Sequence, residues 1–283
     1  MQSPQSSCYM PHAVTKLDSQ MALTKSRDPA LVVQIRVFKA LILRDIRTRF
    51  FGNGLGYIIA ILWPLTHIVV LLLIFFFAGR TAPFGDSLLL FFATALIPAL
   101  GFRYMSRFVP MSVLNNRPLT AFPIVKYMDV ILARCILEAA AFCCVAALLA
   151  AILFFLGEPI QPEYPIGAAQ AFLATLLLGL GVGAFIGVIA IKLPGIMLPL
   201  ILIHVIMYVT SGVLFIPSAL PQQAAAVVSW NPVLHAVEWM RESYYLGYQS
   251  TVLDKEYLIG CGLGFFFAAL LMEKVFRSFL TRH

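Results

Sequence analysis

Charge is scarce in this sequence, and over long stretches it is missing altogether. Asp, Glu, Lys and Arg make up 12% of the 283 residues, against 61% hydrophobic. An ordinary soluble domain is about one quarter charged and about half apolar. The shortage excludes a water-soluble fold, which could not cover that much apolar surface, although the length alone would permit one or two soluble domains. Chemical motifs are missing too. No Gly-rich phosphate loop ending in Gly-Lys-Ser or Gly-Lys-Thr occurs, and there is no dinucleotide fingerprint or His-Glu-x-x-His helix. The chain by itself is therefore expected neither to hydrolyse nucleotide nor to hold a cofactor or metal. His12, His67, His204, His235 and His283 are dispersed, and no Ser or Cys stands in a nucleophile motif. Cys8, Cys135, Cys143, Cys144 and Cys261 show neither metal-ligand spacing nor a pair in one loop, which argues against zinc and disulfides. They read as small apolar residues. The first thirty residues lack the apolar core of a cleavable signal peptide and are expected to be a disordered tail, with Met21 an alternative start.

What is present is a set of apolar runs long enough to cross a bilayer, which takes about 20 residues per helix. Residues 52–79, 139–157, 164–191 and 193–237 carry no charged side chain. Shorter runs at 87–102 and 257–272 reach full length only with flanking residues such as Arg103 and Glu273. The expected fold is an all-α integral membrane protein with about six transmembrane helices, at 56–78, 87–105, 130–156, 167–191, 195–215 and 257–277. An even count puts both termini on one side. That side holds 17 of the 20 basic residues, leaving Arg80, Arg241 and Lys255 opposite. By the excess of Lys and Arg in cytoplasmic loops, both termini are expected in the cytoplasm. The net charge of +7 is then a topological signal plus attraction to headgroups. Nucleic-acid binding would need a basic soluble module, and none is present.

Ahead of the first span the pattern becomes amphipathic. Leu31, Val32, Ile35, Phe38, Ile42 and Ile46 follow helical spacing, while Arg36, Arg44 and Arg47 project from the other side. This predicts a helix over 31–50 lying on the membrane, or else a positive topogenic flank. Arg49 falls on the apolar line and marks its end, and Gly52, Asn53, Gly54 and Gly56 make a turn into the first span. Trp63-Pro64 predicts a packing kink there, or a hinge. Ala171, Thr175, Gly179, Gly183 and Gly187 recur every four residues and predict close helix packing, within the subunit or at a sliding or dimer surface. Residues 216–256 read as short helices dipping into the outer leaflet.

Ionisable groups at membrane depth mark pairing or function. Arg134 and Glu138, four apart, form such a pair, either structural or part of a gate. His67 and His204 read as hydrogen-bonded packing residues. Trp230, Trp239, Tyr244, Tyr245 and Tyr248 gather near Asn231, His235, Glu238 and Arg241. Aromatic faces suit sugar rings and the polar groups suit hydroxyls, while an interfacial aromatic belt has the same composition. Residues 107–129 hold Asn115, Asn116, Arg117, Pro118 and Leu119, which read as a short docking helix or as a plain basic loop.

Taken in order, the helix ending Arg44-Asp45-Ile46-Arg47-Thr48-Arg49-Phe50, then Leu55-Gly56-Tyr57, Trp63-Pro64, six spans and the block from Asn231-Pro232 to Arg241 resemble permeases of type-2 ABC exporters. Within them the chain is most similar to the capsular polysaccharide export branch. The resemblance spans 31–277 and implies a transmembrane domain over 51–277, with 278–283 a cytoplasmic tail. It implies a homodimer in a bacterial inner membrane, each copy bound to a separate cytoplasmic ATPase that carries the ATP and Mg. Asn115 to Leu119 then correspond to the coupling helix, and the helix with Arg44, Arg47 and Arg49 to the gate helix. The region from Pro217 to Tyr248 corresponds to re-entrant outer helices that line part of a glycan channel. The substrate would be a long, often acidic glycan on a lipid anchor, handed in a Gram-negative cell to periplasmic and outer-membrane partners.

Three other readings compete. O-antigen or teichoic acid permeases share this plan. A secondary transporter or channel would show internal repeats or ionisable residues at matching midplane positions, and no convincing repeat is seen. A membrane enzyme would need clustered carboxylates or histidines at one interface.

Overall fold

A computed structural model describes residues 30–48, 56–121 and 124–280. Helix α1 (Ala30–Thr48) precedes α2 (Gly56–Phe77), α3 (Leu88–Asn115), α4 (Tyr127–Phe155) and α5 (Pro165–Lys192). Then come α6 (Met197–Val209), α7 (Gln222–Val228), α8 (Pro232–Tyr244) and α9 (Lys255–Leu280). No strand occurs among the described residues. The tail before Ala30, Arg49, the turn at 51–55 and residues 281–283 lie outside them.

Five of the described helices, α2, α3, α4, α5 and α9, are long and apolar enough to cross a membrane. Their order follows from side-chain register. Phe75 packs on Phe92 and His67 on Tyr104, so α2 and α3 run antiparallel. Gly179, Gly183 and Gly187 face Met105, Val109 and Val113 in turn, so α3 and α5 run parallel with the same four-residue step. The small-residue stripe thus finds its neighbour inside the subunit. A second close approach lies off that stripe. A Cβ on Gly181 would overlap the carbonyl oxygen of Gly262, which brings α9 backbone to backbone with α5.

Helix α3 is the central strut, packed by α2, α4, α5, α6 and α8. It starts cleanly because Ser87 accepts the amide of Leu90 at 3.0 Å. Pro64 lies inside α2 in an unbroken helical run, on the buried line Gly56, Ala60, Pro64, Ile68 and Leu72. The other face of α2, with Trp63, Val70, Leu73 and Phe77, is exposed, as is most of α6.

The span expected at 195–215 is shorter than a crossing. After a 3-10 turn at Pro194–Ile196, α6 runs 13 residues, about 20 Å, and stops at Val209. Gly212, at φ +79°, then turns the chain away. Since α5 ends at one end of the bundle and α9 leads back towards it, 193–254 must still traverse the structure. Helix α8 supplies the remainder. Its first residue adjoins the end of α6, and its Ser243 carbonyl accepts the amide of Tyr164 at the start of α5, 2.9 Å away. The crossing is therefore split into α6 and α8, with the 3-10 turn Pro217–Ala219 and α7 in the excursion between them.

Candidate functional site

The break in the split crossing is held by one side chain. Asn231 Oδ1 accepts the amide of Val233 at 2.9 Å and caps α8. Its Nδ2 donates to the Met207 carbonyl at 2.7 Å and to Thr210 Oγ1 at 2.8 Å, satisfying the end of α6. Buried helix ends need such partners.

Two to three turns further on, Glu238 and Arg241 are 1% and 0% exposed. Arg241 Nη1 donates to Glu238 Oε1 at 3.1 Å and to the Phe215 carbonyl at 3.3 Å, and its guanidinium lies 4.1 Å above the Phe91 ring. Tyr248 Oη donates to Glu238 Oε2 at 2.9 Å. Burial, and then the adjacent Glu238 carboxylate, push the Tyr248 phenol well above its ordinary value, so it remains a donor. Phe84 meets Tyr245 and Tyr248 edge-on and closes the pair off. At His235, the Asp254 amide donates to Nδ1 at 2.9 Å, which leaves the proton on Nε2, 2.8 Å from the Ser229 carbonyl. Asn231, His235 and Glu238, with Nη1 of Arg241, thus fasten the excursion to α8 and α9, while Arg241 Nε and Nη2 are buried without a hydrogen-bond partner.

The aromatic residues of the same block are placed differently. Trp239 and Tyr245 line a cavity of about 390 Å³ together with Tyr164, Tyr248, Gln170 and Lys255. Trp230 is 79% exposed beside the start of α9, where Tyr257 Oη donates to its carbonyl at 2.8 Å. Tyr244 borders a smaller apolar cavity with Phe172 and Met240. Ring faces with amide and ammonium partners in one hollow are what a sugar contact needs.

At the opposite end of the bundle, Asn115 ends α3 and Arg117–Ala121 forms a 3-10 turn containing Pro118 and Leu119. Asn116 is buried and accepts a hydrogen bond from Arg44 of α1. Arg117 donates to the Ile191 carbonyl in the last turn of α5. Arg134 bridges Glu138 at 2.7 Å and Asp45 of α1 at 3.4 Å. Val37, Phe38, Leu41 and Ile42 of α1 pack on Val130 and Ala133. The expected intramembrane pair is thus a three-residue bridge that ties α1 to α4. Arg47 is exposed, as are Leu31 and Ile35 at the far end of the apolar stripe.

Three features escaped the sequence. Asp45 lies between Arg44 and Arg47, which hides its contact with Arg134 in the sequence. Gly181 lies off the four-residue line. Arg103 and Arg107 of α3 stand at membrane depth between α2 and α6, where the lone arginine inside a predicted span was the available signal.

Comparison with known proteins agrees with this architecture. Residues 36–245 match the family model described as ABC-2 type transporter. The chain is 32% identical to the polysialic acid transport protein KpsM of Escherichia coli, over 80% of this chain and 88% of that one. It is 27% identical to the capsule polysaccharide export inner-membrane protein CtrC of Neisseria meningitidis, over 87% of this chain and 93% of the relative. The corresponding protein BexB of Haemophilus influenzae is 25% identical with the same coverage. With most of the amphipathic helix and all of the strut and the split crossing inside the matched stretch, the chain belongs to the ABC-2 type transporter family.

Proposed function

We propose that this chain is the membrane-spanning permease subunit of an ATP-driven exporter that moves capsular polysaccharide, or a closely related glycan, across a bacterial inner membrane. The observation that carries the proposal is likeness along nearly the whole length, in both directions, to proteins named for polysialic acid transport and capsule polysaccharide export. In this reading two copies form the path, both termini are cytoplasmic, and a separate ATPase subunit binds ATP and Mg. Periplasmic and outer-membrane proteins continue the route.

The ATPase pushes on the turn Arg117–Ala121. Asn116, held by Arg44, passes the displacement to α1, and Arg117, held to Ile191, passes it to α5. Close glycine contacts then carry α3 and α9 along with α5. At the other end, the hydrogen bonds of Asn231, His235, Glu238 and Arg241 keep the excursion in shape. Trp230, exposed, and Tyr244 and Tyr245, which line cavities, offer ring faces to the emerging glycan, and Trp239, 6% exposed, backs the hollow from the core.

Deleting the gene in its own host and assaying glycan on both sides of the membrane tests this. The expected result is loss of surface glycan with intracellular accumulation, restored by the wild-type gene. Undiminished surface glycan in the deletion strain overturns it.

A further inference from the structure

Helix α6 follows α5 in sequence yet stands clear of it. Among the long helices it packs closely on α3 alone, and on neither α5 nor α9. The space left between α5, α6 and α9 is an apolar cavity of about 450 Å³, bordered by buried Phe102 of α3. Three helix stripes face it. Val182, Phe185 and Ile189 of α5 are spaced three and four residues apart, and Leu200, Ile203 and Met207 repeat that spacing on α6. Cys261 and Phe265 bring in α9, where the Phe265 ring lies 5.6 Å from that of Phe185. The cleft has an open side: the α5 stripe is half-buried, and Ile203 and Phe265 are 49% and 38% exposed.

The α5 stripe ends in charge. Lys192, one turn after Ile189 on the same face, is exposed, and its ammonium stands 5.8 Å from the ring centroid of Phe276 on α9. Arg117, which donates to the Ile191 carbonyl, adds a second cation at this end.

The shape and lining select the occupant. Water needs several polar partners, and the polar side chains here are engaged: His204 pairs with Ser106 Oγ at 2.7 Å, and Tyr257 Oη donates to the Trp230 carbonyl at 2.8 Å. A helix from another subunit is too wide. At about 10 Å across, it would displace more than about 1000 Å³ along the roughly 20 Å of α6. An acyl chain, a single file of methylenes, fits. Leaving bulk lipid for an apolar wall gains such a chain little, so selection falls to the headgroup, and the cations beside the α5 terminus complement an anionic phosphate.

We propose that this cleft holds one acyl chain of an anionic bilayer phospholipid, whose phosphate meets Lys192 and Arg117, and that the lipid braces α6 against α5 and α9. The lipid stays with the subunit whatever the cargo, so the site stands apart from the export reading.

The full chain, purified from a host that makes no capsule and stripped of lipid, is titrated in detergent with phosphatidylglycerol or phosphatidylethanolamine and followed by native mass spectrometry. The wild type should retain one phosphatidylglycerol per chain, on the order of fivefold more tightly than the zwitterionic lipid, the effect of one cation at a headgroup. K192Q should lose most of that preference. I186W, which puts a larger ring into the cleft from a half-buried lining position, should lose the bound lipid. Phosphatidylglycerol should also raise the unfolding midpoint of the wild type and leave that of I186W unchanged. Equal retention by the wild type and I186W would mark the lipid as annular only and overturn the site. A change in oligomeric mass in I186W with lipid retained would assign the cleft to a second copy and overturn it too. Should I186W fail to fold, K192Q decides, because an undiminished preference in that variant overturns the proposal.

Discussion

Asn231 does two things that an amide can combine in one side chain: its oxygen caps α8 and its nitrogen donates to the end of α6. Arg241 is as tightly placed, with no exposed surface and Glu238 at 3.1 Å. A buried pair is costly to break because the surviving charge has nowhere to go. Arg241→Ala should therefore destabilise the protein by about 3–5 kcal/mol. Replacing the pair together, as E238Q/R241M, should recover much of the loss. Thermal unfolding in detergent, followed by intrinsic fluorescence, checks this, and equal midpoints for the single and double variants would refute it. Sequence drew notice to Asn231, Glu238 and Arg241 but not to their task. Two charges three residues apart among aromatics look alike whether they face a sugar or one another, because burial is set by α3 and α5, which lie far away in sequence.

Among the elements, the four-residue stripe of α5 was readable because small side chains at helical spacing have few other uses. The contact of Gly181 with Gly262 was not, since it pairs single positions on helices about 80 residues apart. Gly181→Leu should cost about 1–3 kcal/mol through forced separation of α5 and α9. Gly260→Leu, where nothing lies within 4 Å, should cost much less. Comparing the two unfolding midpoints decides the matter, and equal losses would count against the close packing. The end of α6 was hidden for a different reason. Residues 193–237 are uncharged throughout, so hydropathy cannot show where the helix stops, and Asn231 that stops it lies more than twenty residues later. At the opposite end, Arg44 links α1 to Asn116. Arg44→Ala should lower export by roughly tenfold, the equivalent of one charged hydrogen bond of about 1.4 kcal/mol, while ATP hydrolysis by the complex continues. A parallel fall of both activities would show that the link serves assembly rather than transmission.

Over the whole molecule, hydropathy showed the class and number of crossings because bilayer thickness sets element length, whatever the packing. It could not show that one crossing is built from two short helices. Charge is distributed along the same axis: Arg36, Lys39, Arg44, Arg47, Arg117, Lys126 and Lys192 collect at one end of the bundle, while Arg80 and Lys255 stand at the other. The exposed faces of α2 and α6 leave apolar surface for lipid or a second copy to cover. The central claim is that this chain conducts a glycan and draws its energy from a separate ATPase. It is tested most directly in proteoliposomes holding the purified chain with or without that ATPase, by measuring transfer of a lipid-linked capsular glycan across the bilayer. Transfer should require both proteins and hydrolysable ATP. Equal transfer without the ATPase, or with a non-hydrolysable analogue, would contradict the account.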